Sequence, residues 1–143
     1  MDSKEDLITK LLKPAVQEPS AEVDRLARSV IGAAIEVHRQ LGPGLLEGVY
    51  EEALGIELGL RDIPFTRQSG VGITYKGRPV GKGKLDLLVG GQLIVELKAV
   101  ERLAPIHSAQ MISYLRMTNR SLGFLINFNV PALREGIKRV VLS

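Results

Sequence analysis

Apolar positions along the chain follow two different periods. From Val23 onward, Leu26, Ala27, Val30, Ile31, Ala34, Ile35 and Val37 recur at three- and four-residue intervals, the spacing of one helical face. Ser20 stands where an N-cap is needed, and Glu22 and Asp24 suit the positive end of the helix dipole. Gly42-Pro43-Gly44 cannot continue the helix, so it should end near Leu41. A second helix is predicted over residues 45–60. Val49, Tyr50, Ala53, Leu54, Ile56, Leu58 and Leu60 form its expected buried side, and Asp62-Ile63-Pro64 closes it.

Beyond Pro64 the period shortens. Residues 71–75, 84–89 and 92–97 are short β-branched or leucine-rich runs, divided by Lys76-Gly77-Arg78-Pro79 and by Gly90-Gly91. Such turn signals predict an antiparallel three-stranded meander. Helical spacing returns over 105–117 through Ile106, Ala109, Met111, Ile112 and Leu115. Residues 121–128 are almost continuously apolar and read as a buried strand. A helical turn over 131–136 and a last strand over 137–142 complete an α-α-β-β-β-α-β-turn-β order. Residues 1–20, with Pro14, Pro19 and scattered charges, read as a loosely held arm in which Leu7, Ile8, Leu11 and Leu12 could dock as a short helix. Residues 21–143 read as one domain.

Composition narrows this picture in three ways. The 143 residues are 45% hydrophobic and 24% charged, which suits a globular domain and argues against disorder. With three Phe, three Tyr and no Trp, the core must be aliphatic. The absence of cysteine excludes disulfides, thiolate metal ligands and thiol nucleophiles. The charged start lacks a signal-peptide core and no apolar run is long enough to span a bilayer, so no membrane association is expected and the cytoplasm is the default location. A net charge of +3 is compatible with a polyanionic partner without requiring one.

The chemistry lies in polar residues placed where the strand pattern asks for apolar ones. Asp86 interrupts Lys84-Leu85-Asp86-Leu87-Leu88-Val89, and Glu96 and Lys98 interrupt Leu93-Ile94-Val95-Glu96-Leu97-Lys98. Alternation puts Glu96 and Lys98 on one face, and a turn at Gly90-Gly91 makes the Asp86 and Glu96 strands neighbours. Two carboxylates in a partly dry site repel each other, and a divalent cation resolves the conflict. Oxygen ligands without His or Cys favour Mg²⁺ or Mn²⁺. Lys98 would then stabilise an attacking hydroxide or charge developing on a phosphate. Taken singly, each residue has a plainer reading: Asp86 facing solvent or a turn, Glu96 and Lys98 as a surface ion pair, Glu47 as part of a charged first turn. Gly81-Lys82-Gly83-Lys84 lacks the G-x-x-x-x-G-K-S/T spacing of a phosphate loop and precedes a strand. Its lysines read as a solvated hairpin or as contacts to a nucleic-acid backbone. His38 is left without a role, and His107 is placed at the surface.

Asp86 followed by Glu96-Leu97-Lys98 resembles the D…(D/E)-x-K signature of the PD-(D/E)XK nuclease superfamily. Gly44-Leu45-Leu46-Glu47-Gly48-Val49-Tyr50 is similar to the G-x-x-E-x-x-Y run that names the GxxExxY family within it, and Gln110-Met111-Ile112-Ser113-Tyr114 resembles the Q-x-x-x-Y helix of the RecB-like branch. The likeness covers roughly residues 23 to 142. It implies an α/β, restriction-endonuclease-like mixed sheet with an αβββαβ core flanked by helices and an extra N-terminal helix. It also implies a metal-dependent nuclease acting on DNA or RNA. Asp86, Glu96 and the Leu97 carbonyl would bind Mg²⁺ or Mn²⁺, Lys98 would be the catalytic lysine, and Glu47 would orient water or metal. Gln110 and Tyr114 would brace the site or touch substrate, and Tyr50 would pack in the core. Leu85 stands where the superfamily name has Pro, and lysines precede Asp86 where relatives often carry an aromatic residue. Alternatives are a catalytically silent module binding nucleic acid or protein, and a structural subunit. So small a domain could need a homodimer or a partner protein to act.

Overall fold

The structure, a computed structural model, describes residues 4–11 and 19–142. The arm expected over residues 1–20 falls partly outside these, as do Leu12 and the side chain of Leu11. Within them, α1 (Lys4–Leu11) lies against α2 (Ala21–Leu41), with Leu7 and Ile8 buried. Ser20 caps α2 by accepting the Val23 N–H at 3.3 Å, and Gly42 ends it with φ +69°. There a residue with a Cβ would be strained.

Helix α3 (Glu47–Leu60) packs against α2 but buries less than its composition suggests. Tyr50, Leu54 and Leu58, one turn apart, face the core, whereas Val49, Ile56 and Leu60 are exposed at 43%, 60% and 75%. The expected buried side was therefore too wide. Only one stripe of an apolar cylinder can meet the sheet, and Val49, Ile56 and Leu60 lie about a third of a turn or more away from it.

Five strands follow in the spatial order β1-β2-β3-β4-β5: β1 (Phe65–Tyr75), β2 (Arg78–Val89), β3 (Leu93–Lys98), β4 (Leu122–Asn127) and β5 (Ile137–Val141). The first three are an antiparallel meander, β3 and β4 are parallel, and β4 and β5 are antiparallel. The parallel pair needs a long crossover, supplied by α4 (Pro105–Thr118). A short 3₁₀ turn (Leu133–Glu135) precedes β5. This is the mixed, helix-flanked sheet of a restriction-endonuclease-like α/β fold. No helix among the described residues is long and apolar enough to cross a membrane.

Each sheet face has its own core. Leu87, Val89, Leu93, Val95, Leu97, Phe124 and Ile126 pack against α1, α2 and α3. Leu85, Ile94, Leu125 and Val140 pack with Met111 and Leu115 of α4. At Gly123 the Met111 side chain packs closer to the strand than a Cβ would allow, so α4 rests there on bare backbone.

Leu85 and Leu87 therefore lie on opposite faces, although residues two apart in a regular strand share one. The change occurs at Asp86 and its neighbour across the ladder. Arg67 pairs with Leu87 and Ser69 with Leu85, but Gln68 takes a left-handed φ of +52° and no pairing joins it to Asp86. Here β2 also parts from β3, their ladder being confined to Leu87–Val89 against Leu93–Val95. Outward of this point β1 and β2 continue as a two-stranded ribbon longer than the apolar pattern predicts, because Gly70, Gly72, Gly81 and Gly83 and many polar residues conceal it.

Candidate active site

Where β2 leaves β3, two acids take over the hydrogen bonds that the ladder no longer makes. The Leu97 N–H donates to Asp86 Oδ2 at 2.8 Å, and the Asp86 N–H donates to Glu96 Oε1 at 3.3 Å. Buried amides need partners, so each carboxylate satisfies the other strand's backbone and both are held in place before any ligand arrives. Glu96 is only 5% exposed. Burial first, then the adjacent Asp86 charge and a shared hydrogen bond with it, push the Glu96 carboxyl up to about 8, and Lys98 opposes this only in part.

Lys98 ends β3, half-buried, two residues beyond Glu96. Glu47, the first residue of α3, is solvent-exposed, yet its carboxyl is also pushed up. Partial desolvation is the main cause, Lys98 opposes it, and Asp86 and Glu51 add to it. Mutual influence of this kind requires proximity. The fold thus sets Asp86, Glu96 and Lys98 together from β2 and β3, with Glu47 of α3 within reach of the Asp86 and Lys98 charges.

This gathering leaves a deficit of positive charge. Neither Asp86 Oδ1 nor Glu96 Oε2 accepts a backbone N–H. The Leu97 carbonyl points to the same strand edge as its amide, toward Asp86, where β2 no longer pairs with it. Such a set of hard oxygen donors fits Mg²⁺ or Mn²⁺. Among the described residues no three His, Asp or Glu side chains are grouped closely enough to hold an ion unaided. A cation here would draw on the two carboxylates, the carbonyl and water, with Glu47 farther out.

Several residues that position this site carry no chemistry of their own. Tyr50 is fully buried and stacks on Phe128 with ring centroids 4.6 Å apart. Its hydroxyl donates to the Gly42 carbonyl at 2.6 Å and accepts the Leu45 N–H at 3.1 Å, fixing the loop that delivers Glu47. One turn after Glu47, buried Glu51 accepts from Arg67 (2.9 Å) and Gln68 (2.8 Å), tying α3 to the left-handed point of β1. Asn127, opposite Lys98 and 1% exposed, clamps the chain as it leaves β3. It accepts the Val100 N–H at 3.0 Å and donates to the Val100 carbonyl at 2.9 Å. Sequence reasoning assigned nothing to Glu51, Arg67, Gln68 or Asn127. For Asn127 the available signal was the one that marked Asp86, a polar residue in an apolar strand. The contacts of Arg67 and Gln68 had no signal, because their partners lie about 16 residues away on a helix.

Gln110 and Tyr114 are not joined to the carboxylates. Gln110 is exposed, and Tyr114, half-buried, lies against β2 at Gly83, where a Cβ would come within 2.8 Å of its hydroxyl. His38 is structural, its Nε2 donating to the Val130 carbonyl at 2.8 Å. His107 caps α4, its Nδ1 accepting the Ala104 N–H at 3.0 Å.

A family model described as the PD-(D/E)XK nuclease superfamily matches residues 24–140, from the first turn of α2 into β5. No curated protein sequence matches the chain. Because the match spans the whole sheet and the layers on both of its faces, the chain belongs to the PD-(D/E)XK nuclease superfamily.

Proposed function

We propose that this protein is a metal-dependent nuclease of the GxxExxY family, with the RecB-like helix motif, hydrolysing phosphodiester bonds of DNA or RNA at Asp86, Glu96 and Lys98. The observation that carries this reading is the buried Glu96 carboxyl, touching Asp86 and pushed up to about 8 beside a single lysine. Asp86, Glu96 and the Leu97 carbonyl would hold Mg²⁺ or Mn²⁺. When bound, the cation supplies positive charge that lets Glu96 ionise beside Asp86 and makes nearby water easier to deprotonate. Lys98 donates hydrogen bonds to the phosphoryl oxygens, where charge grows during attack. Glu47, whose raised carboxyl takes up a proton more readily than an ordinary glutamate, orients the attacking water. Gln110 and Tyr114 brace the ribbon base from the α4 side, Tyr114 through its packing at Gly83, with no hand in holding the ion.

Cleavage of single- and double-stranded DNA and RNA in Mn²⁺ tests this, with calorimetry of Mn²⁺ binding alongside. Asp86→Asn keeps an oxygen for the Leu97 N–H, so it should remain folded, lose Mn²⁺ binding and lose cleavage. Lys98→Ala should keep Mn²⁺ binding while turnover falls by about 10²–10³-fold. Cleavage by Asp86→Asn equal to the unaltered protein would place the activity elsewhere. Nucleic-acid binding without any metal-dependent cleavage would mean a silent module on this scaffold.

A further inference from the structure

The ribbon that projects beyond Asp86 has a feature that the hydrolytic site does not use. Lys82 pairs across the ladder with Gly72, and Lys84 with Gly70. Alternation sets these four residues on the face opposite Gly83, where Tyr114 packs. That face is bare backbone flanked by two exposed lysines. A Cβ built at Gly70 or Gly72 meets nothing within 4 Å, and neither glycine has the positive φ that would require it. Glycine weakens a strand interior and marks a bulge or the close approach of a ligand or another backbone; the irregularities of this ladder lie at Gln68 and between Ile73 and Thr74, whereas Gly70 and Gly72 are regularly paired. Residues 69–84 carry Lys76, Arg78, Lys82 and Lys84 and no acid. At the ribbon base Asp86 belongs to the hydrolytic site, and Glu51 and Glu52 are both engaged by Arg67.

We infer that the Gly70, Gly72, Lys82 and Lys84 face of the ribbon is the docking surface for the sugar-phosphate backbone of a nucleic acid, laying one strand along β2 toward Asp86. Two lysines two residues apart sit about 6.6–6.8 Å from each other along the strand, a spacing of the order of that between neighbouring phosphates. The ribbon from residue 78 to 85 is about 23 Å long, enough to track several nucleotides. The absence of side chains at Gly70 and Gly72 lets the backbone lie close enough for both ammonium groups to straddle it. This rests on the nuclease reading for the nature of the ligand, and on the ribbon's own geometry for its location.

The test measures binding of labelled single- and double-stranded oligonucleotides by anisotropy, from 50 to 200 mM salt, in the Asp86→Asn background so that nothing is cleaved. Lys82→Ser/Lys84→Ser should remove about two phosphate contacts and lower the log–log salt slope by about 1.4–1.8, so that between these two salt concentrations its affinity falls about tenfold less than that of the parent. Gly70→Val/Gly72→Val should melt at the same or a higher temperature, since valine favours strands and the space is open, yet bind more weakly by tenfold or more. In the nuclease itself the lysine pair should raise KM and spare kcat. An unchanged slope and affinity in both folded double variants would overturn the ribbon assignment while Asp86-dependent cleavage still upheld the nuclease. Absence of binding by the parent, with cleavage indifferent to Asp86→Asn, would remove both. A dimer of the parent that Gly70→Val/Gly72→Val dissolves would assign the face to self-association and overturn the inference as well.

Discussion

Glu96→Gln should make the cation-free protein more stable in alkaline solution, and the structure fixes both the sign and the window. In the folded chain the Glu96 carboxyl is pushed up to about 8 from an ordinary 4.5, by burial first and by Asp86 next. The folded state therefore binds a proton that the unfolded state has released throughout that interval. Stability is fully present below about pH 4.5 and is lost as pH rises through about 8. At about 1.4 kcal/mol per pH unit the loss approaches roughly 5 kcal/mol as an upper bound, a large part of the 5–15 kcal/mol typical of a whole domain. Glutamine keeps an oxygen to accept the Asp86 N–H and offers its amide N–H to the Asp86 carboxylate in place of the shared proton. The raised carboxyl of Glu47 has the same sign in both proteins and cancels in the difference.

Urea unfolding in EDTA at fixed ionic strength, from pH 5 to pH 9, measures this directly. The two proteins should agree within about 1 kcal/mol near pH 5. By pH 9 Glu96→Gln should be the more stable by about 2–5 kcal/mol. Added Mn²⁺ should restore the unaltered protein, by about 2.7 kcal/mol at a hundredfold excess over its dissociation constant, and leave the variant where it was. Parallel stability curves across the whole range would refute the reasoning, since Glu96 would then be ionised at no cost and the site would have no charge deficit to fill.

Tyr50→Phe removes the hydroxyl that ties Gly42 to Leu45. It should cost about 1–3 kcal/mol in urea melts and reduce turnover well below the melting temperature, with Mn²⁺ affinity unchanged, because Glu47 loses its anchorage. Arg67→Met leaves the buried Glu51 carboxylate with Gln68 as its remaining hydrogen-bond partner. A loss of about 1.5–3 kcal/mol is expected, with faster amide hydrogen exchange at the ribbon base than in β4.

The elements legible in the sequence were those whose burial is one-sided or complete. The α2 stripe from Val23 to Val37, the β3 run from Leu93 to Leu97 and the β4 run from Leu122 to Asn127 each face a core whose period imprints on the residues. The outer ribbon was not legible over its full length, because with neither face covered there is no reason for apolar and polar residues to alternate. For α3 the pattern misled in the other direction, since Leu60 is as apolar as Leu58 and only packing distinguishes them. At the site, the polar interruptions named Asp86, Glu96 and Lys98 as residues out of place, and their contact follows from the hairpin at Gly90-Gly91. What no periodicity encodes is the change of face at Asp86. It depends on one left-handed residue, Gln68, in the neighbouring strand, held there by a glutamate on a helix.

That left-handed residue gives the position of the site a physical reason. A non-glycine residue at φ +52° is unfavourable by about 1–2 kcal/mol, and it persists only where its surroundings hold it. Glu51 supplies the hold through Arg67 and Gln68, from the same helix that begins with Glu47. Once β1 and β2 change face there, β2 can no longer pair with β3, and the amides of Asp86 and Leu97 would be orphaned in a buried edge. The two carboxylates answer this need, so the acids that would hold a cation also close the sheet where it opens. Structural and chemical requirements thus coincide at the same two side chains. It follows that the two acids are held by backbone hydrogen bonds of the sheet itself, and that the cost of placing them together appears as the raised proton affinity of Glu96 and not as disorder of the strands.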